Sequence, residues 1–162
     1  MLIHSENGVI ELKAFGTRLY KGMSYDQLKQ TDFYQEKYHT MRDIKTGYLW
    51  YSFDPIEIQG YQLYFNLCFL GDQLHSIHMN TWEKSDAQDW NEWTEEKEVK
   101  VFYRNNKFLS SVLPTPPPQK KKTPYPRVSY LFPWGSIWSV YDPRSASSLM
   151  GIHYNEEEKV YK

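Results

Sequence analysis

Cys68 and His78 are the two side chains in this sequence best suited to chemistry, a thiol and an imidazole placed as diagonal neighbours on one face of a predicted strand pair. A cysteine nucleophile needs a base within hydrogen-bond reach, a third group to orient that base, and donors for the developing oxyanion. The pattern around Cys68 supplies neither of the last two. A thiol in mid-strand also lacks the helix N-terminus that would lower its pKa. Cys68 therefore reads as a small filler residue, no catalytic residue is assigned, and the chain is expected not to be an enzyme.

His75 and His78 resemble a metal-ligand pair in text, but three residues apart on a strand they are expected on opposite faces. His153 could join one of them across the sheet, yet no nearby carboxylate completes a ligand set, so no metal and no cofactor is expected. The acids at Glu92, Glu95, Glu96 and Glu98 suit a solvated helix start. A P-loop, a GxGxxG fingerprint and a G-x-S-x-G elbow are all missing from the sequence.

The elements that must position these residues begin with Tyr61 to Asn80. Leu63, Phe65, Leu67 and Phe69 alternate with Gln62, Tyr64, Asn66 and Cys68, the period of a sheet with one buried face. A three-residue loop, Gly71-Asp72-Gln73, pairs Leu67 with Ile77, Phe65 with Met79, Asn66 with His78 and Cys68 with Ser76; a two-residue turn would mix the apolar and polar faces. On that register His75 shares the core face with Ile77 and Met79.

Tyr48 to Ile58 reads as a strand broken at Asp54-Pro55, since proline cannot donate to a ladder. A bulge there turns Leu49, Tyr51 and Phe53 inward and sends Tyr48 and Trp50 to the polar face. Around Gln59-Gly60, Ile58 and Ile56 align with Tyr61 and Leu63. Thr94 caps a predicted helix from Glu95 to Leu113, with acids in its first turn. Its stripe is Val101, Phe102, Phe108, Leu109, Val112 and Leu113, with Asn105 at the edge. Residues 114–126 hold six of the nine prolines and read as an extended loop, in which Lys120 to Lys122 form a solvated basic run. Ser129 to Tyr141 and Ser148 to Tyr154 read as a second hairpin, with Ile137 inward and Trp138 outward. The acidic segment 155–162 is expected to fray.

Near the N-terminus, Val9 to Leu12 and Thr17 to Tyr20 suit short strands, and Ser24 caps a short helix over YDQLKQ. Residues 31–45 show no winning period. Composition bounds the rest. At 162 residues one α+β domain spanning 1–162 fits. A net charge of −1 gives no global field for nucleic acid, and no run approaches the roughly 20 apolar residues that span a bilayer. The lone cysteine excludes an internal disulfide, and the N-terminus lacks a secretory pattern, so a cytoplasmic location is expected. Aromatic content is 17%, with 14 Tyr, 6 Trp and 8 Phe, and such side chains favour both strands and binding surfaces.

Taken together, the short helix after Gly22-Met23-Ser24, the meander, the long helix and the closing WGSIWSVYDPRSASSLMGIHY hairpin look like small bacterial cytosolic α+β proteins. Gly22-Met23-Ser24-Tyr25-Asp26 is similar to the helix start of SmpA-type outer-membrane-assembly lipoproteins, which share a two-layer helix-and-sheet fold with β-lactamase inhibitor proteins. The chain departs from those lipoproteins in lacking a lipobox cysteine. The resemblance implies an antiparallel α+β layer and a binding role.

The expected architecture is thus an antiparallel meander of about five or six strands, with the long helix on its dry face and a short N-terminal helix. The expected function is protein binding, of inhibitor or immunity type, through Trp50, Tyr64, Asn66, His78, Asn80 and Trp138. Carbohydrate or other small-ligand binding is the alternative, and a cysteine-dependent enzyme comes third.

Overall fold

The computed structural model describes residues 1–156. Its strands are β1 (Leu2–Ile3), β2 (Ile10–Leu12), β3 (Thr17–Leu19), β4 (Tyr38–Asp43), β5 (Tyr48–Phe53), β6 (Ile56–Ile58), β7 (Tyr61–Leu70), β8 (Gln73–Trp82), β9 (Gln119–Lys121), β10 (Arg127–Phe132), β11 (Gly135–Asp142) and β12 (Ser147–Tyr154). The α-helices are α1 (Tyr25–Lys29), α2 (Asp32–Lys37) and α3 (Glu95–Val112). The strands β1 to β3 form a three-stranded sheet, and the rest form a nine-stranded antiparallel sheet in the order β4-β5-β7-β8-β12-β11-β10-β9, with β6 also on β7.

The α+β class holds, but the strand number exceeds the expected five or six for identifiable reasons. The aperiodic 31–45 stretch supplies α2 and the exposed edge strand β4. Asp54-Pro55 divides β5 from β6, because proline has no N–H for the ladder. Pro133-Trp134 splits the expected 129–141 strand into β10 and β11. Gln119 to Lys121, expected as loop, pairs with Ser129 to Arg127 as β9.

The β7–β8 hairpin keeps the expected pairs Leu67 with Ile77, Phe65 with Met79, Asn66 with His78 and Cys68 with Ser76. It reaches them differently. Leu70 pairs with Gln73, so the turn is the two residues Gly71-Asp72, with Gly71 at φ +60°. The register is restored at a bulge where Phe69 pairs with Leu74 and Cys68 with Ser76, leaving His75 as the extra residue.

One face of the large sheet is dry. Leu63, Phe65, Leu67, Ile77, Met79, Ile137, Met150 and Ile152 are each at most 1% exposed. Two helical covers share it. The long helix α3 packs over β8, β11 and β12 and buries Phe102, Phe108, Leu109 and Val112. Burying each such side chain is worth about 1.5–3 kcal/mol. Over β5 and β7 the cover comes from α1 and α2. Phe33 stacks on Phe53 at 4.3 Å and meets Phe65 edge-on at 5.9 Å, while Tyr25 stacks on Tyr51 at 4.6 Å. Ser24 starts α1 with a full capping box, and the side chain of Thr31 caps α2.

Asn105 departs from the expected place at the stripe's edge. It is fully buried, and its Oδ1 accepts hydrogen bonds from Thr81 N (3.0 Å) and Thr81 Oγ1 (2.6 Å). Its Nδ2 donates to Asn80 Oδ1 at 2.8 Å. The stripe position is tolerated because all of these polar atoms are paired. Of the segment expected to fray, Asn155 is tied to the β10–β11 turn through its N–H to Trp134 O and its Nδ2 to Pro133 O. Residues 157–162 lie outside the described residues.

Candidate functional site

The opposite face of the large sheet carries no helix among the described residues. Its side chains follow from strand alternation. Trp50 pairs with Cys68, Cys68 with Ser76, Ser76 with His153 and His153 with Ser136. One pair further along, Ser52, Asn66, His78, Gly151, Trp138 and Ser129 run across the same face.

Three of the six sequence-predicted residues meet there. The imidazole of His78 lies between two indoles, with ring centroids 4.6 Å from Trp50 and 5.5 Å from Trp138. Trp138 in turn carries the guanidinium of Arg127 at 6.0 Å from its ring, within the range of a cation–π contact. The result is a row, Trp50–His78–Trp138–Arg127, drawn from four of the six neighbouring strands from β5 to β10. The side chain at 151 is a glycine, which leaves room for the Trp138 indole to lie against the sheet.

The other three are placed less directly. Asn66 sits beside His78, and its Oδ1 accepts a 2.6 Å hydrogen bond from Ser52 Oγ. Tyr64 is exposed at the end of the hairpin and meets Trp82 edge-on at 6.4 Å. Asn80 is committed to the fold, because Nδ2 donates to Ser148 O and Oδ1 accepts from Asn105. It links β8 to β12 and α3 just beyond the last Met79–Met150 pair.

His78, Trp138 and Arg127 of the row form one wall of a cavity of about 440 Å³, which Ser76, Tyr125, Ser136 and His153 also line. Arg127 and Tyr125 carry no signal in the sequence pattern. Arg127 and Tyr125 lie where the proline-rich stretch hides the start of β10. The sequence presents His153 only as a third histidine for a metal site, and the structure places it in this cavity.

The bulge also corrects His75. It brings the imidazole to 6.2 Å from His153 and 5.5 Å from Tyr48, on the open face rather than the core face. Its Nδ1 is buried without a hydrogen-bond partner among the described residues. No group of three His, Cys, Asp or Glu among the described residues is arranged to hold a metal ion.

Electrostatics favour a neutral, desolvated surface. Burial between the two indoles pushes the His78 pKa down to about 4, so the ring is uncharged at neutral pH. Burial likewise raises the Cys68 thiol, against a smaller opposing effect of Ser76. A protonated thiol and an unprotonated imidazole at diagonal positions, with no orienting acid among the described residues, are poor machinery for nucleophilic attack. Aromatic walls, one cation and several hydroxyls suit stacking and charge-assisted hydrogen bonding instead.

No helix among the described residues is long and apolar enough to cross a membrane. No protein-family model and no curated protein sequence matches the chain. A solved structure described as Rhs1-CT in complex with cognate immunity protein RhsI1 contains a similar chain, with a TM-score of 0.52 at 13% identity over 96% of this chain and 87% of that one. At that identity the likeness is one of fold.

Proposed function

We propose that this chain is a non-catalytic protein-binding module of inhibitor or immunity type, and that the open face of its large sheet is the binding surface. The observation that carries the reading is the Trp50–His78–Trp138–Arg127 row, held on a rigid sheet with no covering element among the described residues. Tryptophan and arginine are the residues over-represented where binding energy concentrates, and a sheet presents them with little entropy left to lose. The fold it shares with a chain from an immunity-protein complex supports the same reading. A bacterial, cytoplasmic setting belongs to it. Affinity capture from the native cell, read by mass spectrometry, tests the proposal when wild type is compared with Trp138→Ala and Tyr64→Ala.

A second reading, binding of a small ligand such as a carbohydrate, is favoured by one observation: the face is concave beside Trp138 rather than flat, with a cavity of about 440 Å³. That volume lies within the roughly 300–1,000 Å³ of ordinary ligand sites. A sugar stacked on Trp138 would quench or shift its fluorescence saturably, whereas a protein-only surface leaves it unchanged by mono- and disaccharides.

A further inference from the structure

The basic run Lys120 to Lys122 is not a free loop. Lys120 pairs with Val128 and Lys121 with Arg127, so β9 is pinned to the edge of the large sheet. Strand alternation then matters. Val128 is buried on the helix-covered face, which sets Lys120 on that face as well, on the opposite side of the sheet from Trp138.

Between β9, β10 and the outer flank of α3 runs a groove of about 870 Å³. Its floor is apolar and ordered, built from Phe102, Val128 and Tyr130, which are between 2% and 8% exposed. Its rim is cationic, with Lys107 from α3 facing Lys120 and Lys122 from the β9 edge. No carboxylate lines it, and none of these lysines makes a salt bridge among the described residues. Asn106 also lines the groove, and its Oδ1 is buried with no hydrogen-bond partner among the described residues. An unpaired buried acceptor is a cost to the free protein that a donor on a bound molecule would recover.

We propose that this groove binds a small amphiphilic anion, with an apolar chain or ring along Phe102, Val128 and Tyr130 and a carboxylate against Lys107, Lys120 and Lys122. An O–H or N–H on the ligand would complete Asn106. Arg127 borders both sites, but Phe102, Val128, Lys107 and Lys120 belong to the helix-covered side, so variants at Lys107 and Lys120 test this groove apart from the protein-binding reading. A lysine cluster over bare backbone would attract any anion; the apolar floor selects one with a tail.

Calorimetric titration of the full chain with sodium dodecanoate, below its micelle concentration, tests the proposal. Dodecyl maltoside carries the same tail without charge, sodium acetate the charge without a tail, and phosphatidylglycerol vesicles the anionic amphiphile as a membrane. The expected result is saturable 1:1 binding of dodecanoate, with acetate and dodecyl maltoside at least about tenfold weaker. The charge reversals Lys120→Glu and Lys107→Glu lie on exposed side chains and should leave folding intact. Each should weaken dodecanoate by about tenfold, the loss of one charge-assisted contact. Absence of saturable binding, equal binding of dodecyl maltoside, indifference to both reversals, or binding to vesicles alone would each overturn it.

Discussion

The indole of Trp138 lies over Gly151 of the neighbouring strand, so closely that a Cβ at position 151 would come 2.6 Å from the indole Cε2. The residue that faces solvent is thus held in place by the smallest residue beneath it. Gly151→Ala should force the ring off the sheet and break its contact with His78. Expected outcomes are a shifted tryptophan emission, a loss of stability within the about 1–3 kcal/mol of an overpacked site, and weakened partner capture. An unchanged emission spectrum would mean the ring is not seated as described.

A pH dependence follows from His78. Its folded pKa is about 4, against an ordinary value near 6.5, so the unfolded state takes up the proton first. Stability is full above the unfolded value and is lost as pH falls from about 6.5 towards 4, by up to about 3 kcal/mol. Arg127, Tyr125 and His153 share the cavity with the ring, whose shift comes from burial. Urea denaturation at pH 7 and pH 4.5 should show a loss in the wild type that His78→Gln reduces. Equal losses in both proteins would place the pH sensitivity elsewhere.

Asn105 is the buried polar link between α3 and β8. Asn105→Ala leaves two donors of Thr81 unsatisfied and strands the Asn80 carbonyl, for an expected cost of about 2–4 kcal/mol in chemical denaturation. Asn105→Asp keeps the acceptor and should recover part of that loss. A cost under about 0.5 kcal/mol for alanine would show that water replaces the network.

Cys68 separates binding from catalysis. With its thiol raised by burial, alkylation by iodoacetamide in the native protein should be slow and show no inflection below pH 8. A thiolate titrating near neutral pH would revive the cysteine-enzyme reading.

Much of this was legible in the residues, and the exceptions have physical causes. Alternation in β7 and β8 carries the register, because a one-residue slip would exchange buried Leu67 for Asn66. It could not show where the extra residue sits. A three-residue loop and a two-residue turn with a bulge give the same downstream pairs, and only the latter turns His75 outward. The stripe of α3 was readable from its spacing, but Asn105 was not, since burial of a carboxamide depends on partners 24 and 25 residues away in sequence. Phe33 carries no readable signal because α2 is too short to show a period, although it seals the core against Phe53 and Phe65. In the open face, Trp50, His78 and Trp138 follow from strand parity. Arg127 does not, because prolines on either side of β9 mask the pairing that carries it.

The open face as a binding surface is tested most directly by measuring affinity for a partner captured from the native cell, using purified wild type, Trp138→Ala and Tyr64→Ala. Circular dichroism and thermal midpoints serve as the control for folding. The account predicts that Trp138→Ala weakens the complex by about thirtyfold or more, the mark of a hot spot worth at least about 2 kcal/mol, with Tyr64→Ala weaker in effect and both variants folded. Wild-type affinity in both folded variants would contradict it.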